Sequence, residues 1–190
     1  MHIKTVRTGY LSENCYIVIS DDTARCVLVD PGDEAGKIVA AVEAAHAVPE
    51  LILLTHGHFD HIGALGGLRE KYDAKIAVHR DDAGMLENPR ADKYLSDGET
   101  VSAAGMEFSI LHTPGHTRGS CCITCGGYMF SGDTLFAGDI GRTDLPGGDE
   151  AAMRRSLARL SALPGDYTVL PGHGSATTLE QERRRGTMQN

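Results

Sequence analysis

At 190 residues, with 41% hydrophobic and 23% charged residues, the chain (1–190) has the length and composition of one globular domain able to bury a sizeable core. A net charge of −8 opposes nucleic-acid binding, which needs clustered Lys and Arg to meet phosphates. The first residues hold no apolar signal-peptide core and no later run reaches the length of a membrane span, so a cytoplasmic protein with no membrane partner is expected, and five irregularly spaced cysteines argue for reduced thiols over a disulfide framework.

Segments 3–8, 15–20 and 25–30 read as strands by their β-branched content and partial alternation, with breaks at Gly9 and Asp21-Asp22. Asp30-Pro31-Gly32 is a turn signal, after which Asp33 is expected to cap a helix over 34–47. Leu51 to Leu54 is a continuous apolar run of the kind a buried strand shows, followed by an amphipathic helix over 62–72 and a strand over 75–79. A short helix over 81–88 stops before Pro89, and 89–98 is polar enough for an exposed loop. Strands are expected over 107–112, 121–130 and 167–170, and helices over 150–163 and 179–185. The basic run Arg183-Arg184-Arg185 lies next to Glu180 and Glu182 and reads as a solvated helix face. Cys122 and Cys125 have CxxC spacing but fall inside a strand, and with no second CxxC they read as unreactive. Strands and helices mixed in this order indicate an α/β class.

The chemistry is concentrated where the strand 51–54 ends. Thr-His-Gly-His-Phe-Asp-His, from Thr55, supplies His56, His58, Asp60 and His61, three imidazoles and a carboxylate able to bind a divalent first-row metal. Residues two apart in an extended segment point the same way, so His56 and His58 can chelate one ion, while Asp60 and His61, past the turn, can face a neighbouring position.

This segment resembles the signature of the metallo-β-lactamase superfamily. Further matches narrow the resemblance to its short, single-domain glyoxalase II-like branch: His112-Thr-Pro-Gly-His116-Thr117, Ser131-Gly-Asp133-Thr134 and Pro171-Gly-His173-Gly174. The resemblance implies a four-layer αββα sandwich with the metal loops along one edge. It implies a first metal site at His56, His58 and His116, a second at Asp60, His61 and His173, and Asp133 shared between them, a carboxylate having two oxygens to offer. His112 is expected outside the ligand set, and His2, His46 and His79 as ordinary surface or packing residues. Asp30 resembles the family's Asp-Pro-Gly aspartate and is a candidate to support a ligand from behind, with a turn role equally open.

The activity implied is that of a dinuclear hydrolase, two Zn2+ per chain with Fe2+ or Mn2+ as alternatives, cleaving an anionic thioester of the S-lactoylglutathione type. Water held between two cations about 3.5–4 Å apart is acidified and attacks a carbonyl without a protein nucleophile. Asp60, with one oxygen free for a proton, is the candidate catalytic relay. Arg142, in the family-like segment Gly-Arg-Thr-Asp, either meets a substrate carboxylate or pairs with Asp144. After His173 the chain runs only to Asn190, leaving no room for the helical domain with which full-length glyoxalase II binds glutathione. The rivals are a mononuclear iron persulfide dioxygenase, a lactonase or phosphodiesterase of the same fold, and a non-enzymatic metal-held module; the last is disfavoured because structural zinc sites close with four ligands, commonly including cysteine. The oligomeric state is left open.

Overall fold

Successive side chains of a strand face opposite sides of its sheet, and here both sides are buried. In the strand Glu13–Ile19, Tyr16 and Val18 join one apolar cluster, whereas Cys15, Ile17 and Ile19 join another. The same division separates Leu51 and Leu53 from Ile52 and Leu54. A sheet covered on both faces needs a layer on each, and this requirement generates the architecture.

The computed structural model describes residues 1–189. One six-stranded sheet contains β1 (His2–Thr8), β2 (Glu13–Ile19), β3 (Arg25–Val29), β4 (Val48–Leu53), β5 (Lys75–His79) and β6 (Lys93–Leu95) in that order. The second contains β7 (Thr100–Ala103), β8 (Met106–His112), β9 (Cys121–Cys125), β10 (Tyr128–Gly132), β11 (Thr168–Pro171) and β12 (Thr177–Thr178), also in sequential order. The helices are α1 (Ala35–Ala44), α2 (Phe59–Ile62), α3 (Leu65–Tyr72), α4 (Glu150–Ser161) and α5 (Leu179–Arg185), with 3-10 turns at Arg80–Met85 and Thr187–Gln189.

Three apolar clusters fill the three interfaces of an αββα sandwich. Ile38 and Val42 of α1 and Leu65 and Leu68 of α3 cover the outer face of the first sheet. Between the sheets, Tyr16, Val29 and Leu53 meet Phe108, Ile123 and Phe130. Met153, Leu157 and Leu160 of α4 and Leu179 of α5 cover Cys122, Met129 and Val169 on the far face. The expected four-layer fold is the one observed. Among the described residues no helix is long and apolar enough to cross a membrane.

Several boundaries differ from the sequence expectation. The single strand expected over 121–130 is a hairpin, β9 and β10, with Gly126-Gly127 at its turn and Gly126 at φ 58°. The helix expected over 62–72 is interrupted at Gly63 and Ala64. Asp33 accepts only the neighbouring Glu34 N–H, at 2.6 Å, and α1 starts after Glu34 with no side-chain cap. Arg184 and Arg185 pair with Glu180 and Glu182, but Arg183 donates to the carbonyls of Ser161, Leu163 and Gly165, so one member of the basic run ties down the end of α4 and the turn after it.

Candidate metal centre

The segments that follow β3, β4, β8, β10 and β11 supply, in turn, Asp30, the loop 55–58 with α2, His116, Asp133 and His173. These strand ends lie along one edge, where β4 runs parallel to β3 and β10 runs parallel to β11. The backbone approach there is close. A Cβ on Gly172 would fall 2.4 Å from Asp133 Oδ1 and 2.6 Å from His61 Cε1, so only glycine admits the chain between His173 and the cluster.

His56, His58 and His116 converge, each able to bring one ligand atom within 4.8 Å of the others, and Asp60, His61 and His173 form a second such group. Asp133 lies between them: its Oδ2 is 3.5 Å from His116 Nε2 and 3.7 Å from His173 Nε2, and its Oδ1 is 3.5 Å from His61 Nε2. All seven residues expected from the sequence are therefore in one place. Asp30 also joins His56 and His61 as a ligand-capable group. Its bonds assign it elsewhere: it accepts the Thr55 N–H at 2.7 Å, the Thr55 hydroxyl at 2.5 Å and the His61 Nδ1–H at 3.0 Å.

The backs of the imidazoles are held in a way that aims them inward. His116 Nδ1 donates to the Arg142 carbonyl at 2.8 Å and His173 Nδ1 to the Leu11 carbonyl at 3.2 Å, which leaves Nε2 of each ring as an acceptor. His56 Nδ1 lies 3.1 Å from Thr55 Oγ1, whose own proton goes to Asp30.

A metal fits this donor set. Among the described residues only five buried side-chain nitrogen or oxygen atoms lack a hydrogen-bond partner, and three of them are His56 Nε2, His61 Nε2 and Asp133 Oδ1. Leaving such atoms unpaired costs about 1–3 kcal/mol each, and all three belong to the seven-residue cluster, so cations are the partners that would satisfy them.

The electrostatics agree. Burial, reinforced by His61, holds the His56 imidazole well below its ordinary value and therefore neutral, as a ligand must be. Burial alone would lower the His61 value, but the carboxylates of Asp133 and Asp30 outweigh it and raise it, so these carboxylates favour positive charge at His61, which a cation at Nε2 would supply in place of a proton while Nδ1 keeps its own toward Asp30. Burial would likewise raise Asp133, yet His61, His56 and His116 keep it well below the usual carboxylate range. Beside this cluster sits Glu13, buried, its carboxyl pushed up to about 9 by desolvation, with Oε2 accepting from Thr8 at 3.0 Å and Oε1 unpaired.

The Arg142 guanidinium is exposed and gives Nε and Nη2 to Asp144, each at 2.7 Å, while only its carbonyl reaches the cluster. His112 donates to the Arg118 carbonyl and stacks on His79, ring centroids 4.0 Å apart, outside the cluster. Sequence reasoning missed Asp82. Its buried carboxylate accepts Gly57 N–H at 3.0 Å, the Thr117 hydroxyl at 2.7 Å and Gly119 N–H at 2.7 Å, joining the loop that carries His56 and His58 to the one that carries His116. No local pattern marks it, because its partners lie 25 to 37 positions away. The two supporting carbonyls, of Leu11 and Arg142, are backbone atoms and leave no trace in a sequence either.

An αββα sandwich with a His/Asp cluster on one edge defines the class, that of metal-dependent enzymes built on paired sheets. The family model described as the metallo-beta-lactamase superfamily matches residues 8–173, and the chain belongs to that superfamily. It is 34% identical to the hydroxyacylglutathione hydrolase GloC of Haemophilus influenzae, an alignment covering all of this chain and 99% of that protein. Among solved structures it is similar to the BLEG-1 B3 metallo-beta-lactamase, with TM-score 0.91 and 33% identity over 96% of this chain and 97% of that one. It is also similar to TTHA1623 in a di-iron-bound form, with TM-score 0.86 and 39% identity over 96% of this chain and 98% of that one. Hydrolase-named relatives and the His/Asp groups together support a metal-dependent hydrolase.

Proposed function

We propose that the protein is a dinuclear metallohydrolase, with zinc as the metal, that cleaves thioesters of the hydroxyacylglutathione type. The observation that carries this reading is that His56 Nε2, His61 Nε2 and Asp133 Oδ1, three buried atoms without protein partners, all belong to one cluster of seven potential ligands. His56, His58 and His116 would hold one cation and Asp60, His61 and His173 a second, with Asp133 able to offer an oxygen to each. Two cations so held supply an acidified, oriented water and a Lewis acid for the carbonyl. The 34% identical hydroxyacylglutathione hydrolase supports the substrate class, and the di-iron form of TTHA1623 supports two metals while leaving iron as an alternative to zinc.

The residues of this chain do the remaining work. Asp60 Oδ2 lies 3.2 Å from His173 Nε2, and its side chain is only partly covered, so one oxygen is available to carry a proton from water to the departing thiolate. In the balanced reaction, water oxygen adds to the carbonyl carbon, the C–S bond breaks, and that proton ends on sulfur. Asp30 fixes the His61 ring and orders Thr55. Arg142 is the candidate for meeting a substrate carboxylate, by exchanging Asp144 for it. Five unpaired cysteines suit a reducing compartment such as the cytoplasm.

The test is a hydrolysis panel of thioester, lactone, phosphodiester and β-lactam on protein of known metal content. Preferred thioester cleavage supports the reading; a preferred lactone or phosphodiester reassigns the substrate, and oxygen uptake with a persulfide by a one-iron form replaces the hydrolase with a dioxygenase.

A further inference from the structure

Single exposed apolar side chains are ordinary, but a cluster of them beside a reaction centre calls for a ligand. Of the six exposed large apolar side chains among the described residues, Tyr10 (83% exposed), Leu11 (44%) and Phe59 (62%) border one cavity of about 190 Å³, and Asp60 forms part of the same wall. The rings of Tyr10 and Phe59 lie nearly parallel, 17° apart with centroids 6.5 Å apart, although they come from the β1–β2 turn and the start of α2. Phe59 immediately precedes the candidate ligand Asp60.

The turn that carries Tyr10 and Leu11 is anchored at both ends. Gly9 N–H donates to Glu34 Oε2 at 3.0 Å, and the Leu11 carbonyl accepts from His173 Nδ1 at 3.2 Å. The apolar wall is therefore set in position by one of the rings of the metal cluster, and ligand binding need not order it. The charge of the lining limits what can enter. Its only ionisable side chains besides the Tyr10 phenol are Asp33 and Asp60, with no Lys or Arg among the residues around it. With Asp60 committed to a cation, a carboxylate in this cavity would meet the Asp33 carboxylate with no Lys or Arg to offset it, and an uncharged group would not.

Resting on the thioesterase reading above, we propose that this cavity is the acyl subsite, and that it takes an uncharged acyl group with an apolar face, up to the size of a single aromatic ring. A tripeptide thiol is larger than the cavity and carries carboxylates that the lining repels, so the thiol portion lies outside it. The acyl portion is the smaller and uncharged end of such a substrate. Tyr10, Leu11 and Phe59 thus set acyl specificity, while the histidines and aspartates set the reaction.

The experiment compares acetyl, phenylacetyl and succinyl thioesters of N-acetylcysteamine, on wild type and on Tyr10→Ser and Phe59→Ser of matched metal content. Wild type is expected to favour phenylacetyl over acetyl by about 10- to 100-fold in kcat/KM, with succinyl slowest. In each variant the phenylacetyl-to-acetyl ratio falls about tenfold. Calorimetric titration with the uncleavable S-(2-phenylethyl) thioether of the same thiol reads the subsite without turnover, and its affinity falls about tenfold in both variants. A ratio and an affinity that do not change in the variants overturn the proposal, as does absence of thioether binding to wild type. If no thioester is cleaved but the thioether binds wild type and is lost in the variants, the thioesterase reading fails and the apolar subsite stands.

Discussion

Asp82→Ala separates a structural clamp from a bystander. The carboxylate is 1% exposed and receives the Gly57 and Gly119 N–H groups and the Thr117 hydroxyl. In the variant the hydroxyl keeps Ser120 Oγ at 2.7 Å, but the two N–H groups lose their acceptor in a buried place. At about 1–3 kcal/mol for each unsatisfied donor, the loss is about 2–6 kcal/mol, reduced by the desolvation that the carboxylate itself no longer bears. A net loss of about 3 kcal/mol is expected from urea unfolding of the metal-free protein. Gly57 sits between His56 and His58, and Thr117 follows His116, so the two loops that make the first group of ligands come apart while Asp60, His61 and His173 keep their own supports. Removing a residue that orients ligands commonly weakens metal affinity by about 10- to 100-fold, and here the loss should fall on one of two ions. Chelator-competition titration with Zn2+ resolves the two affinities. Stability within about 1 kcal/mol of wild type, or equal weakening of both ions, would refute the clamp.

Asp133→Ala should weaken both ions at once, whereas His58→Ala should chiefly weaken the first; two tightly held ions and normal turnover in Asp133→Ala would remove Asp133 from between the sites. Arg142→Ala should lower kcat/KM by about 10- to 100-fold for an anionic thioester and leave a neutral one nearly unchanged if the guanidinium meets substrate, a contact of about 1.5–3 kcal/mol; equal losses for both substrates would assign it to Asp144 alone. Burial pushes the Cys26 thiol up to about 12 and the Cys122 thiol up to about 11, so the thiolate fraction at pH 8 falls below that of an ordinary cysteine, and a thiol reagent at pH 8 should label none of the five cysteines rapidly until the protein is unfolded.

The site was more legible in the sequence than the fold boundaries were. His56, His58, Asp60 and His61 stand within six positions, and each remaining ligand follows an apolar run, so short-range pattern was enough. The 121–130 segment reads as one strand because apolar residues flank Gly126-Gly127 on both sides and the run looks continuous, although a two-glycine turn is itself a hairpin signal. β6 and β12 could not be read locally: three and two residues long, they exist through pairing with β5 and β11. Asp82 shows the same limit at the site, since a buried acceptor is identified by donors that folding brings to it.

The most direct test of the account is metal content measured together with turnover: elemental analysis of protein saturated with Zn2+ and dialysed, followed by thioester hydrolysis on the same sample. A dinuclear hydrolase is expected to hold two ions per chain and to show hydrolysis that disappears on chelation and returns when both ions are restored. A plateau at one ion per chain, with full hydrolysis at that loading, would contradict it.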